Sequence, residues 1–316
     1  MTENVHQVAV VVHPDRFAPV LLTDRWSRPQ YLVCMRRTVD NRMPSKQPLN
    51  AVVTFLNDVS PGRRILQVAP YGWDFPEHRP GQFVSLGLPG SAPRCAAAKP
   101  EPHEAAPDEL IKRTYSIASS PLHREYLEFY VTLIPGGVLT PRLFELKIGD
   151  RIWLSKQPAG NFTYDDSLAT GGANLVLCTS GGGLAPLISM LLTYLKLTPD
   201  LRVALMHGER HSWDRGYHSL LMTMQDLRPN FTYLPIVSQP EDEFVPWLGE
   251  LDGVRDVWKR GAIEQAWAFR PTAGNTHVFL CGCPRMAESM IELLGGEGFK
   301  VNTESEHGQI HVETFW

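Results

Sequence analysis

The chain has 316 residues, 43% of them hydrophobic, and a formal net charge of −4 from 30 basic and 34 acidic side chains. This length and apolar content favour two packed domains, and the nearly balanced charge argues against a nucleic-acid footprint or a polybasic membrane anchor. No apolar run approaches the roughly 20 residues of a spanning helix and the N-terminus has no signal-peptide pattern, so we expect a cytoplasmic protein.

Residues 1–48 are interpreted as an N-terminal extension, because five prolines interrupt their short apolar runs. Residues 49–168 change to short alternating runs separated by Pro/Gly turns, which predicts an antiparallel barrel or sandwich. The expected strands are Ala51–Leu56, Arg64–Ala69, Gln82–Leu88, Arg113–Ala118, Tyr126–Ile134 and Arg151–Leu154.

Two further segments of this first domain are predicted to be something other than strand. The segment 89–107 is rich in Pro and Ala, which is typical of a flexible surface insertion. The stretch from Thr140 to Lys147 has a helical pattern, and Gly149 gives it a plausible end.

Residues 169–316 show a different rhythm, in which apolar strands alternate with helical patterns after Gly171-Gly172. This alternation predicts a parallel, doubly wound sheet with ligands at the carboxyl ends of its strands. The expected strands are Asn174–Thr179, Arg202–His207, Phe231–Val237 and His277–Cys281, and the expected helices are Leu184–Leu197, Tyr217–Leu227, a stretch near Glu264 and Arg285–Leu294.

The cysteines do not indicate a metal site or a disulfide framework. They are five, an odd number, and are scattered along the chain at Cys34, Cys95, Cys178, Cys281 and Cys283. The one close pair has C-x-C spacing, which suits neither an iron–sulfur cluster nor structural zinc. The eleven histidines show no metal-ligand spacing such as H-E-x-x-H. We therefore predict no metal in this chain.

The first chemical motif is Arg113-Thr114-Tyr115-Ser116, within a predicted strand. An arginine fork can bind phosphate, a tyrosine ring can stack on a flat cofactor, and a serine hydroxyl can bond its edge. An ordinary barrel strand would accommodate the same residues, so the motif alone leaves both interpretations open.

The second motif is Pro135-Gly136-Gly137-Val138-Leu139-Thr140, a glycine pair that opens a short helix. Backbone N–H groups at a helix start, with the Thr140 hydroxyl, can bind a pyrophosphate, which glycine allows to approach closely. The alternative is a plain hairpin turn with Thr140 as a helix cap.

The remaining two motifs each join a strand to a helix. Ser180-Gly181-Gly182-Gly183 leads into Leu184-Ala185-Pro186 and suits a tight turn that admits a dinucleotide, although it lacks G-x-G-x-x-G spacing. Cys281-Gly282-Cys283-Pro284 is consistent with a similar loop, or with a simple glycine turn before an N-terminal proline.

Taken in order, the four motifs and the aromatic C-terminus resemble the bacterial type of the ferredoxin–NADP reductase family, over residues 49–316. The resemblance implies an antiparallel β-barrel that binds FAD, followed by an α/β doubly wound parallel-sheet domain that binds NADP, with NAD possible. It also implies that a hydride moves between the dinucleotide and FAD N5.

The resemblance further implies roles for individual residues. For FAD these are Arg113 at the pyrophosphate, Tyr115 against the isoalloxazine, Ser116 near N5, and contacts from Thr114, Tyr130, Val131, Thr132, Gly136, Gly137, Val138, Leu139 and Thr140. For the dinucleotide they are Ser180, Gly181, Gly182, Gly183 and Gly282, with Cys281 near the nicotinamide. Trp316 would cover the other flavin face, and Ser116, Cys281 and Trp316 would be the catalytic residues.

The sequence departs from the family pattern at two positions. Gly182 stands where the family usually has Thr, and Gln239 stands where bacterial members often place an Arg against the 2′-phosphate of NADP. Arg210, Arg215 and Tyr217 are the alternative candidates for a 2′-phosphate and adenine clamp. Each of the three could also be a solvated loop residue.

Because the sequence holds no iron–sulfur ligand set, the resemblance predicts an external one-electron carrier, ferredoxin or flavodoxin. The protein itself is predicted to be a monomer or dimer. Three alternatives stay open: the reductase component of an oxygenase system, an NAD(P)H–flavin reductase, and an FAD-containing electron-transfer subunit docked on a larger complex.

Overall fold

The computed structural model describes residues 48–101, 103–164, 173–198 and 201–314, and these residues contain two six-stranded sheets. The predicted extension before Pro48, the Gly171-Gly172 pair and Trp316 lie outside the described residues. The predicted domain boundaries near residues 48 and 168 therefore stay predictions.

The first sheet is antiparallel, with the strand order β4-β3-β6-β1-β2-β5. Just after β4, the Ala118 N–H donates to the Glu128 carbonyl in β5 at 2.7 Å, so the two edge strands are joined. The predicted antiparallel barrel is confirmed. Its strands are β1 (Ala51–Ser60), β2 (Arg63–Pro70), β3 (Phe83–Pro89), β4 (Leu110–Ser116), β5 (Leu127–Thr132) and β6 (Arg151–Leu154).

The predicted helix from Thr140 to Lys147 is wrong in length. Helix α1 spans only Thr140–Leu143, and the chain leaves it through a tighter turn in which the Glu145 N–H donates to the Arg142 carbonyl at 3.2 Å. Gly149, with φ of 94°, lies in the turn before β6 instead of ending the helix.

As predicted, the described part of the segment 89–107 forms no strand beyond Pro89, but it is not a loose insertion, because it packs against the Gly136–Thr140 turn and its flanking residues. Its Cys95 and Lys99 N–H groups donate to the carbonyls of Pro141 and Pro135, at 3.0 and 2.8 Å. Glu101 pairs with Arg142, and both side chains are less than 10% exposed. The low apolar content of the segment gave no sign of this packing, because the contacts are hydrogen bonds and an ion pair.

The second sheet is parallel throughout, with the order β10-β9-β8-β7-β11-β12, and confirms the predicted doubly wound domain. Its strands are β7 (Asn174–Ser180), β8 (Val203–Glu209), β9 (Phe231–Val237), β10 (Glu250–Leu251), β11 (Thr276–Gly282) and β12 (Ile310–Thr314). Its helices are α2 (Leu184–Leu197), α3 (His218–Leu227), α4 (Val254–Lys259), α5 (Ala262–Trp267) and α6 (Pro284–Gly296). No helix in the described ranges has the length and apolar character that crossing a membrane requires.

Alternation along the parallel strands buries both faces of this sheet. In β7, Leu175 and Leu177 belong to the apolar cluster that contains α2, whereas Val176 and Cys178 belong to the cluster on the opposite face. The α2 cluster also includes Tyr130 from the barrel. The two sheets are therefore packed together by a continuous apolar core, and polar contacts surround it.

Candidate active site

Two cavities open where the barrel meets the parallel sheet. The first, the barrel cavity, has a volume of about 470 Å³. It is lined by Arg113, Thr114, Tyr115, Ser116, Tyr130, Thr132, Ile134, Gly137, Val138, Leu139, Thr140, Gly182, Ala185 and Thr314. The structure thus brings most of the predicted flavin residues to one place, from β4, β5 and the turn before α1.

The side chains of the barrel cavity suit a large, flat, polar-edged ligand. Arg113 is exposed at its rim, and the partly buried Tyr115 ring supplies an aromatic wall. The hydroxyl oxygens of Ser116 and Thr132 are buried; the Ser116 hydroxyl lies toward the Glu313 carboxyl, whereas the Thr132 hydroxyl has no hydrogen-bond partner among the described residues. A buried hydroxyl without a partner is costly, so the Thr132 oxygen indicates a bound polar group. The donor set fits FAD.

The Gly136–Thr140 turn is shaped by its own hydrogen bonds. The Thr140 hydroxyl accepts from the Ile134 N–H at 3.0 Å and donates to the Ile134 carbonyl at 3.1 Å, while the Gly137 N–H donates to the same carbonyl. Thr140 therefore fixes the turn instead of offering a free hydroxyl to a pyrophosphate. A Cβ on Gly136 would meet nothing within 4 Å, so the approach to the turn is open there.

Two of the predicted flavin residues do not line the barrel cavity. Val131 lies between Tyr130 and Thr132 in β5, so strand alternation turns its side chain into the barrel core, where it is 1% exposed. Gly136 lies in the turn but outside the lining. The predicted Trp316 cover falls outside the described residues, although Thr314, two positions earlier, does line the cavity.

The Cys281 thiol does not reach either cavity. It is fully buried in the α2 cluster, and burial together with nearby Glu313 raises its pKa well above the ordinary value, so it stays protonated. The predicted position of Cys281 beside a nicotinamide ring is therefore not supported by its side chain. Its neighbours Gly282 and Cys283 line the second cavity instead.

The second cavity, the sheet cleft, has a volume of about 630 Å³ at the carboxyl ends of the parallel strands. It is lined by Arg63, Thr132, Ser180, Gly181, Gly182, Gly183, Gly208, Glu209, Arg210, His211, Asp214, Ser238, Asp252, Gly253, Val254, Gly282, Cys283 and Met286. The predicted glycine loop and Gly282 are thus brought together. The two cavities share Thr132 and Gly182.

Glycine is required where the strand ends approach each other. A Cβ on Gly183 would lie 2.2 Å from the Cys281 carbonyl oxygen, and Gly282 has φ of 146° with Ser180 against it. A Cβ on Gly182 would lie 3.1 Å from the Thr132 hydroxyl oxygen, so glycine here leaves the passage between the cavities open.

The predicted clamp of Arg210, Arg215 and Tyr217 is not assembled. Only Arg210 lines the sheet cleft. The Arg215 guanidinium lies 3.9 Å from the Trp247 ring centroid, and the Tyr217 hydroxyl donates to Glu128 at 2.8 Å. Tyr217 has φ of 62°, and this left-handed residue starts α3 with its ring against the barrel.

Comparison with known proteins agrees with this geometry. Residues 102–164 match the family model of an oxidoreductase FAD-binding domain, and residues 177–292 match that of an oxidoreductase NAD-binding domain. The ferredoxin–NADP reductase of Pseudomonas aeruginosa is 27% identical over 243 residues, covering 74% of this chain and 84% of its own length. This chain joins an oxidoreductase FAD-binding domain to an oxidoreductase NAD-binding domain, which is the two-domain architecture of the ferredoxin–NADP reductases.

A longer reductase and a solved structure have the same two-domain architecture. The reductase component of phenol 2-monooxygenase from a Pseudomonas species is 29% identical over 245 residues, but they are 77% of this chain and only 60% of the relative. A crystal structure of the Neisseria gonorrhoeae ferredoxin NADP+ reductase, with bound FAD and NADP, superposes with a TM-score of 0.69 at 21% identity. The superposed region covers 84% of this chain and 97% of the Neisseria chain.

Sequence reasoning also missed Glu313, an acidic side chain that lies beside Ser116 and next to Thr314, which lines the barrel cavity. It lies in β12, opposite Cys281, and one of its carboxylate oxygens is buried without a partner among the described residues. Burial raises its pKa to about 7, although the hydroxyl of Ser116 acts in the opposite direction. The available signal was an acidic residue in the alternating run Ile310–Thr314, which was not predicted to be a strand.

Proposed function

We propose that this flavoprotein exchanges electrons between a nicotinamide dinucleotide and a ferredoxin or flavodoxin. The observation that carries the proposal is the junction of the two cavities at Thr132 and Gly182, where the buried Thr132 hydroxyl has no hydrogen-bond partner among the described residues. A hydride can pass directly only between two rings in contact, and this junction is where two such ligands would meet. The relatives that are ferredoxin–NADP reductases support the same activity.

Each part of the barrel cavity has a proposed task. Arg113 would bind phosphate through its guanidinium, Tyr115 would stack on the flavin ring, and Ser116 would bond the edge of that ring near N5. FAD, when bound, supplies the chemistry that links a two-electron hydride donor to a one-electron carrier. The protein's own contribution is to orient the rings and exclude water.

Proton supply beside the site is proposed for Glu313. A carboxyl group with a pKa near 7 can donate or accept a proton at neutral pH, and the Ser116 hydroxyl lies toward it. Together the two side chains would hold a proton at the edge of the cavity. The buried Cys281 thiol would only pack behind them, since burial keeps it protonated.

The carrier is proposed to be a separate protein. The five cysteines of this chain include only one close pair, so the sequence itself has no ligand set for an iron–sulfur cluster. Within the described residues, no three His, Cys, Asp or Glu side chains are grouped as a metal site would need.

The proposal is tested by purifying the full chain and recording its absorbance spectrum and released flavin. FAD at about one per chain is expected. Anaerobic stopped-flow mixing with NADH or NADPH should bleach the flavin, and the reduced protein should then reduce a ferredoxin or flavodoxin. A protein that binds FAD but is reduced by neither dinucleotide would contradict the proposed activity.

A second candidate is the reductase component of an oxygenase system. The relative from the phenol monooxygenase supports it, although this chain spans only 60% of that relative. Turnover with a free ferredoxin or flavodoxin favours the first candidate. Turnover that appears only when an oxygenase component is added, with neither free carrier reduced, favours the second.

A further inference from the structure

The loop between β8 and α3, residues 210–217, belongs to the parallel-sheet domain but lies against the barrel. Asp214 in this loop lines the sheet cleft, and Tyr130 in β5 lines the barrel cavity. The Tyr130 hydroxyl donates to the Asp214 carbonyl at 2.7 Å and accepts from the Gly216 N–H at 3.1 Å. One buried phenol therefore joins a wall of one cavity to a wall of the other.

The close approach of the β8–α3 loop to Tyr130 depends on a glycine. A Cβ on Gly216 would lie 2.4 Å from the Tyr130 ring, so a larger residue would push the loop away from β5. The next residue, Tyr217, has φ of 62°, a left-handed conformation that is costly for a bulky side chain. Such a conformation persists only where surrounding contacts hold it, and here those contacts come from the barrel.

Tyr217 is held by strand β5. Its hydroxyl donates to the Glu128 carboxylate at 2.8 Å, and its ring centroid lies 5.9 Å from that of Tyr130. Glu128 and Tyr130 lie two positions apart in β5, so both side chains leave the strand on the face opposite the barrel core. Glu128 is itself fixed by the Gln67 amide, which donates to it at 2.7 Å. The end of the loop is thus attached to the strand that carries Tyr130.

Ser60 attaches the same loop to a second strand, β1. Ser60 is buried, and its hydroxyl donates to the Asp214 carboxylate at 2.7 Å. A hydrogen bond to a carboxylate is stronger than one between neutral groups. Neither Ser60 nor Tyr217 lines the barrel cavity or the sheet cleft. Both can influence a bound ligand only through Asp214, Gly216 and Tyr130.

These attachments are important because the two cavities are built by different domains. Under the proposed function the barrel cavity holds the flavin and the sheet cleft holds the dinucleotide. The distance between their rings then depends on how the β8–α3 loop sits on β1 and β5. A misplacement of about 1 Å can slow a transfer step roughly 100-fold.

We propose that Tyr217 and Ser60 are positioning residues for hydride transfer, which hold the sheet cleft aligned with the barrel cavity through the β8–α3 loop. The proposal rests on the proposed function, because it assumes that each cavity binds its own redox ring. Each domain keeps its own ligand contacts when these residues change, so the rate of transfer is affected and ligand affinity is not.

The test uses the full chain with bound FAD and the variants Tyr217→Phe, Ser60→Ala and the two combined. Anaerobic stopped-flow mixing with the dinucleotide that reduces the wild type, over a range of concentrations, separates the limiting rate of flavin reduction from the apparent Kd. The double variant should lower the limiting rate about 10- to 100-fold, and each single variant about threefold or more. The apparent Kd should stay within about twofold, with FAD at about one per chain.

Two further measurements report geometry instead of turnover. The transient long-wavelength charge-transfer absorbance recorded just after mixing depends on overlap of the two rings, so it should be weaker in the double variant. Hydrogen exchange of the peptide that contains residues 210–217 should be faster in this variant, while peptides from α2 keep their wild-type exchange.

A rescue variant and a matched control accompany these proteins. Ser60→Thr keeps the hydroxyl donor and should retain the wild-type limiting rate. Thr232→Val removes a hydroxyl that accepts from the Trp267 indole N–H at 3.2 Å within the parallel-sheet domain. Thr232 lies near the start of β9, at the opposite end of the sheet from the cleft. This control should lower thermal stability and change the limiting rate less than twofold.

The outcomes separate the two proposals. A wild-type limiting rate in the double variant, a change confined to the apparent Kd, or a loss of rate that Thr232→Val reproduces overturns the positioning role and leaves the reductase function in place. If the double variant does not fold, the two single variants carry the same comparison. A wild-type flavin that neither NADH nor NADPH reduces overturns the proposed function and the positioning role with it. A lower limiting rate at unchanged Kd, restored in Ser60→Thr, supports both.

Discussion

Replacing Glu313 with glutamine should change how stability depends on pH. Burial raises the pKa of this carboxyl from 4.5 to about 7 in the folded protein. Between these two values the folded state binds more protons than the unfolded state, so wild-type stability falls as pH rises through this window. Above pH 7 the folded protein bears the full free-energy cost of burying the charged Glu313 carboxylate. A shift of 2.5 pKa units corresponds to about 3 kcal/mol.

The variant Glu313→Gln carries no charge and avoids this cost. It should gain stability relative to wild type as pH rises from about 5 to about 8, by up to about 3 kcal/mol, or roughly 6 °C in thermal midpoint. The measurement is the midpoint of each protein by circular dichroism at half-unit pH steps. The quantity to compare is the difference in thermal midpoint between the two proteins, because the contributions of all other titrating groups are the same in both.

The control is a carboxylate that is exposed in the folded protein, so that the comparison isolates the effect of burial. Glu77→Gln alters an exposed carboxylate, so its difference from wild type should stay within about 0.5 kcal/mol across the range. If the difference between wild type and Glu313→Gln is flat from pH 5 to pH 8, the carboxyl is not held in a desolvated site. Its proposed proton role would then lose its physical basis.

Three further variants test other parts of the site. Ser116→Ala should retain FAD but slow flavin reduction about 10- to 100-fold in stopped-flow mixing, because ring orientation is lost; an unchanged rate would remove Ser116 from the site. Glu101→Gln should weaken FAD binding about tenfold, measured by fluorescence titration. The reason is that Glu101 pairs with Arg142, which donates to the Val138 carbonyl of the turn. Unaltered affinity would show that the segment 89–107 does not support the turn. Gly183→Ala should cost about 1–3 kcal/mol in a denaturant melt, because its Cβ would overlap the Cys281 carbonyl; wild-type stability would contradict this close approach.

The two sheets were predictable because their patterns are local. Alternation in the barrel and repeated strand–helix units in the second domain follow from which faces are buried, and both can be counted along the chain. The glycine loop Gly181–Gly183 could be assigned for the same reason, since a tight turn between strand and helix leaves few residue choices.

The residues that were misplaced depend on contacts between distant parts of the chain. Glu101 meets Arg142 across 41 positions, and neither residue carries a local signal of that pairing. Tyr217 turns toward the barrel because Glu128, 89 positions earlier, accepts its hydroxyl. Glu313 becomes a site residue only because β12 pairs with β11. Periodicity describes which side of an element is buried and does not describe what it is buried against.

Packing between the barrel and the parallel sheet makes the two cavities adjoin. Tyr130 lines the barrel cavity, and its hydroxyl donates to the Asp214 carbonyl in the loop after β8 at 2.7 Å. On another side of the interface, Ser189 in α2 donates to the Ser119 carbonyl at 2.7 Å, with both side chains buried. Because hydride transfer is sensitive to displacements of about 1 Å, such contacts are needed between domains that hold separate ligands. These contacts bring the two cavities together at Thr132 and Gly182, so alignment of the two rings depends on how the barrel packs against the parallel sheet.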